Sequence, residues 1–147
     1  MGWVGQKLRR FEDPALIRGE GRFVADLTGK AKAVYFVRSP VADGRIVHIE
    51  RPTNAVMFTA DDLVGIKPIQ PRLHRFDYIA LKQPILPVDK VSYAGQPLAV
   101  VVADSIAEAE DVAESVQIDI EATAPLTDLD QAIESGAART HDDVADN

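Results

Sequence analysis

Apolar and polar positions along the chain form short strand-like runs with one clear helical stretch towards the C-terminus. Ala33–Val37 is β-branched and aromatic and ends at Ser39-Pro40, which predicts a strand. Arg45–Ile49 alternates polar with apolar residues, as a half-buried strand does, and Ala55–Phe58 suggests a third. Thr59 then opens a helical turn, with Asp62 at the reciprocal capping position. Leu98–Ala103 is apolar at every position, the pattern of a strand covered on both faces. Ser105 and Glu108 form a capping box, and Ile106, Ala109, Val112, Ala113 and Val116 recur at helical spacing behind it. Val116–Ile120 returns to alternation. Strand, helix and strand within so short a stretch predict a βαβ unit with the usual right-handed crossover.

Elsewhere the pattern is weaker. Residues 1–30 read as an arm punctuated by Pro14, Gly19, Gly21 and Gly29, with a helical turn at Pro14–Ile17. In residues 64–87, Pro68, Pro71, Pro84 and Pro87 forbid long helices, leaving a loop-rich insertion with room for one short strand. A short helix is expected around Leu126–Glu134. The expected organisation is an N-terminal arm (1–30), an α+β domain with a mixed sheet (31–135) and a frayed tail (136–147).

Composition narrows the function. The 147 residues carry 16 Lys and Arg against 23 Asp and Glu, a net charge of −7, and 46% are hydrophobic. That balance argues against nucleic acid or an anionic membrane as partner, since both require a basic face. The charge is uneven: residues 104–147 hold thirteen acids and a single Arg139. This stretch is either a solvated face or a docking surface for a basic chain. With no cysteine, thiolate catalysis, iron–sulfur ligation and cysteine zinc sites are excluded, and a reducing cytoplasm fits. No apolar run approaches the roughly 18 residues of a membrane span, and the opening residues lack a signal-peptide core, so a soluble chain is expected.

Candidate chemistry is sparse. His48, His74 and His141 have no partner at metal-ligand spacing, so no metal site is expected. His74 does lie in an Arg72-Leu73-His74-Arg75 cluster open to an anion or to solvent. Arg18–Arg22 superficially resembles a phosphate loop but lacks its remaining glycines and lysine. Ser39, Ser92 and Ser105 have no adjacent base to activate them. Asp61-Asp62, Glu110-Asp111 and Asp142-Asp143 are sequence neighbours that point apart, and no catalytic residue is assigned.

Several blocks, in order, resemble the start of the molybdenum-containing large subunits of carbon-monoxide dehydrogenase, aldehyde oxidase and xanthine dehydrogenase. They are Arg10–Pro14, Gly19–Leu27, Phe36–Pro40 with Arg45-Ile46, Thr59–Leu63, Asp89–Tyr93, Gly95–Pro97, Ala99–Ala103, Ala109–Glu114, and His141–Asp143 followed by Asn147. The resemblance implies an α/β hammerhead domain that is non-catalytic by itself. It would serve as a domain or small subunit packed against a separate molybdopterin-binding region. That region would hold the cofactor and the glutamate base for hydroxylating aldehydes, purines or CO-like substrates. Iron–sulfur and flavin subunits would carry electrons away. Gln96 is the one residue of this chain considered for the cofactor; shaping the turn before the buried strand is its other reading. The chain departs from the family at Val41–Gly44, where histidines are usual, and in a shortened connection from Ile49 to Phe58. Those departures favour an alternative, a stand-alone interaction module that has lost its enzyme.

Overall fold

The computed structural model describes residues 4–27, 29–73, 75–76, 78–145 and 147. The chain divides into two compact units, Met1–Ala31 and Lys32–Asn147.

In the first unit, Pro14 in the opening turn favours the short helix α1 (Asp13–Ile17). Gly19 at φ +70° releases the chain from α1, a conformation glycine adopts without strain. A 3₁₀ turn follows at Val24–Leu27, where Asp26 accepts a hydrogen bond from the Phe23 N–H at 2.8 Å.

The second unit contains β1 (Ala33–Arg38), β2 (Gly44–Ile49), β3 (Val56–Phe58), β4 (Lys90–Val91), β5 (Pro97–Ala103), α2 (Ile106–Ser115), β6 (Ile118–Ala122) and α3 (Leu129–Ala132). One sheet has the order β1-β5-β3 and the other β4-β2-β6, and all the pairings between these strands are antiparallel. The fold is α+β. The succession β5-α2-β6 is present where the sequence places it, but its two strands belong to different sheets. The expected crossover is therefore absent, because handedness rules apply to parallel strands of one sheet.

The core lies between the first sheet and α2. Val37, Met57, Ala99, Val101, Ala109 and Ala113 are buried together, with Ala33, Tyr35 and Ala103 packed around them. The small side chains of Ala109 and Ala113 bring the helix close to the strands. Ser105 caps α2 by accepting from the Glu108 N–H at 3.2 Å, while Glu108 accepts from Asp104 rather than from Ser105.

Two irregularities adjust the read pattern. The β2–β6 register runs Ile46↔Ile120 then His48↔Asp119, which leaves Val47 as an extra residue. Ile46 and Ile49 can then both face inward despite being three apart. A second extra residue, Leu98, lies where Val37↔Ala99 gives way to Arg38↔Pro97, and Leu98 is fully buried. Among the described residues of the insertion at 64–87, one antiparallel bridge between Ile69 and Gln83 takes the place of a strand. β6 begins at Ile118 rather than Val116, which instead ends α2 in an extended conformation. α3 spans Leu129–Ala132 and starts at the Asp128 cap, whose carboxylate accepts from the Asp130 and Gln131 N–H groups. Near the end of the chain, the Asn147 amide donates to the carbonyls of Ala132 and Ala138 at 3.2 and 2.9 Å.

Candidate functional site

Most residues with chemical potential are committed to structure. Gln96 is buried in the turn before β5: its side-chain oxygen accepts from the Ser92 N–H at 2.7 Å, and its carbonyl accepts from Ser39 N–H at 2.9 Å. Gly95, at φ +80°, supplies the left-handed step of the same turn and donates to the Ser39 carbonyl at 2.8 Å. The buried Ser39 hydroxyl donates to the Val41 carbonyl at 2.8 Å and accepts from the Val41 N–H at 3.1 Å. It is a turn lock, not a nucleophile.

His48 lies exposed on β2, His141 lies exposed near the C-terminus, and His74 falls outside the described residues with its role in the arginine cluster. Among the described residues, no group of three or more His, Asp or Glu side chains is arranged to hold a metal ion. At Arg18–Arg22, Arg18 pairs with Glu20 at 2.9 Å. A Cβ on Gly21 would come within 2.6 Å of the Leu16 side chain, so this glycine makes room for a leucine and not a phosphate. Asp61-Asp62 also separate: Asp62 caps Thr59 and pairs with Arg51.

The structure also assembles a cavity of about 450 Å³, part charged and part apolar, that the sequence did not signal, because its walls come from four distant segments. Asp43 just before β2 and Arg45 within it meet Asp89 just before β4, Lys90 within it, Thr123 after β6, and Arg139 and Asp142 near the end. The Lys90 ammonium donates to the Arg139 carbonyl at 3.2 Å, and carboxylates of Asp43 and Asp142 each lie 3.9 Å away. Thr123 hydrogen-bonds Asp43 through side chain and backbone. Three carboxylates, Asp43, Asp89 and Asp142, balance three basic side chains, Arg45, Lys90 and Arg139, and each base already has a partner: Arg45 pairs with Glu121, Lys90 with Asp43 and Asp142, and Arg139 donates to the Val144 carbonyl.

Those features decide how the chain's residues meet a molybdopterin, which bears phosphate. Anion cradles use converging N–H groups and unpaired cations. Here the cavity's cations are already engaged by Glu121, Asp43, Asp142 and the Val144 carbonyl, and the glycine turn is filled by Leu16. This donor set does not fit the cofactor.

A second exposed feature is apolar. The side of the β1-β5-β3 sheet opposite α2 presents Val34, Phe36, Val100, Val102, Val56 and Phe58 in two rows. No charged side chain lies within those rows; Arg38 stands at the margin, its guanidinium 5.4 Å from the centre of the Phe36 ring.

Comparison with known proteins places this fold in a family. The family model for the a/b hammerhead domain of aldehyde oxidase and xanthine dehydrogenase matches residues 18–124. The large subunit of nicotine 6-hydroxylase from Paenarthrobacter nicotinovorans is 31% identical over 142 residues, covering 90% of this chain and 17% of its own. The carbon monoxide dehydrogenase large chain of Afipia carboxidovorans is 33% identical over 153 residues, with 97% and 18% covered. The crystal structure of quinoline 2-oxidoreductase from Pseudomonas putida 86 superposes with a TM-score of 0.85 at 32% identity, covering 97% of this chain and 19% of that one. The fold is the α/β hammerhead, and the chain belongs to the aldehyde oxidase and xanthine dehydrogenase family. It spans less than a fifth of the relatives it matches.

Proposed function

We propose that this chain is a non-catalytic hammerhead domain or small subunit of a molybdenum hydroxylase. It packs against a separate molybdopterin-binding region and helps to wall the substrate channel. The observation that carries the reading is coverage: the chain aligns along nearly its whole length with under a fifth of a much larger oxidoreductase chain. The cofactor and catalytic base then lie on the partner region. When bound there, the cofactor supplies the redox centre for hydroxylation with water-derived oxygen. This chain's own residues exclude water and orient the neighbouring region. Iron–sulfur and flavin subunits complete the assembly, in the cytoplasm. Within the chain, 1–30 serves as an arm, 31–135 as the hammerhead proper and 136–147 as a tail. The substrate is an aldehyde, a purine or a CO-like molecule.

The test is to tag the chain, express it in its host, and analyse captured material by mass spectrometry and molybdenum assay. A large molybdenum-bearing chain supports the reading; recovery of the bare, folded protein rejects it. A second reading, a stand-alone interaction module, is favoured by the absence of histidine from Val41–Gly44 and by the short link from Ile49 to Phe58. It expects a stable monomer or homodimer without molybdenum.

A further inference from the structure

β5 is apolar at every position, the pattern of a strand covered on both faces. The structure covers one face only. α2 lies over Ala99 and Val101, while the rows Val34–Val102–Val56 and Phe36–Val100–Phe58 stand on the other side. Phe36 and Phe58 remain 42% and 44% exposed, and Val34 and Val56 46% and 56%. Contiguous apolar surface of this kind marks an interaction site in soluble proteins.

The same sheet has an open edge. Among the described residues β1 pairs with β5 alone; it is six residues long and contains no proline or lysine to discourage further pairing. A groove of about 630 Å³ runs beside it, lined in part by Pro40, Glu114, Val116 and Ile118.

We propose that this uncovered face, together with the free edge of β1, is the surface on which the molybdopterin-binding region docks, by an apolar segment of that region. The proposal rests on the function proposed above and names the surface through which it operates. Two observations select the occupant. More than four-fifths of each matched relative lies outside the segment this chain represents, so a large protein neighbour of that family is the covering body available. The chain also carries a net charge of −7, yet these rows hold no charge at all. A nucleic acid or phospholipid headgroup would find no cationic cluster there, whereas an apolar protein surface would be complementary.

The experiment compares three tagged full-length chains expressed in the host: wild type, Phe36→Glu/Phe58→Glu, and the control Ile133→Glu, altered at an exposed site on the segment after α3. Captured material is assayed for molybdenum and its chains identified by mass spectrometry; each purified chain is checked by circular dichroism and ultracentrifugation. The expected result is a molybdenum-bearing large chain with wild type and control. The double variant should lose it at least about tenfold while keeping its dichroism spectrum. Equal capture by the double variant overturns the assignment of this face but leaves the proposed function standing. No molybdenum-bearing chain with wild type overturns both. A wild-type homodimer that the double variant makes monomeric gives the face to a second copy and overturns the proposal. Where the double variant loses its fold, hydrogen exchange of the wild-type complex decides: slowed exchange in β1 and β3 supports the proposal, and unchanged exchange rejects it.

Discussion

Arg51 and Asp62 form a two-point clamp, Nη2 to Oδ2 at 2.6 Å and Nη1 to Oδ1 at 3.2 Å, that ties the end of β2 to the turn after β3. The same carboxylate accepts from the Thr59 N–H at 2.7 Å, and Arg51 also donates to the Thr59 hydroxyl at 2.6 Å. The connection between β2 and β3 is therefore closed by a charged staple across its base.

The clamp makes part of the stability depend on pH. Hydrogen bonding from Arg51, then from the Thr59 N–H, lowers the Asp62 pKa below its ordinary value. A carboxyl depressed on folding adds stability above its unfolded pKa, near about 4, and loses it as pH falls through the lower folded value. Asp62→Asn should therefore reduce the urea midpoint at neutral pH and converge with wild type under acid. Curves offset equally at all pH values would show that the ionisation of Asp62 contributes nothing to stability.

β2 should tolerate little at its first residue. Gly44 faces Val91 on one side and Ala122 on the other, and a Cβ there would lie 2.7 Å from both the Glu121 carbonyl and the Ile120 side chain. The backbone is not left-handed, so the constraint is close approach. Gly44→Ala should cost about 1–3 kcal/mol by overpacking, read from the urea midpoint, and should loosen β6 before the β1-β5-β3 sheet in hydrogen exchange.

The elements legible in the sequence are those whose periodicity is local. Ser105 with Glu108 and the helical recurrence through Ala113 identified α2, and Thr59 with Asp62 identified the turn after β3, because capping needs residues only three apart. Sheet membership was not legible. Nothing in Leu98–Ala103 or Val116–Ile120 states which strands they join, and the split of β5 and β6 between sheets is decided by long-range pairing with β1 and β2. The extra residues at Val47 and Leu98 hid for the same reason: a bulge is defined by its partner strand. Of the site, the turn role of Gln96 was readable from Gly95 and Pro97, whereas the Lys90 cavity draws on segments up to a hundred residues apart.

The cap of α2 gives a prediction with a built-in control. A ten-residue helix is marginal by itself and depends on its cap and on packing of Ala109 and Ala113 against the sheet. Ser105→Ala removes the acceptor for the Glu108 N–H and should cost about 1 kcal/mol, whereas Ser105→Gly should cost only a few tenths. Equal losses in thermal midpoint would show that the hydroxyl is idle.

Leu98 and Phe36 belong to the same sheet, but only Phe36 should respond to assembly. Leu98 is fully buried within the chain, so Leu98→Ala should cost about 2–5 kcal/mol in the isolated protein through lost transfer energy and the cavity left behind. Phe36 is nearly half exposed, so Phe36→Ala should cost about 1 kcal/mol there, because much of the ring still meets water. With the outer face covered by a partner, the ring is desolvated and the ranking narrows: Phe36→Ala should weaken the assembled form more than the free chain, while the Leu98→Ala penalty stays the same in both. Urea melts of the free chain and of the captured complex measure both quantities. A Phe36→Ala effect that is identical in the two states would mean that the ring stays in water throughout.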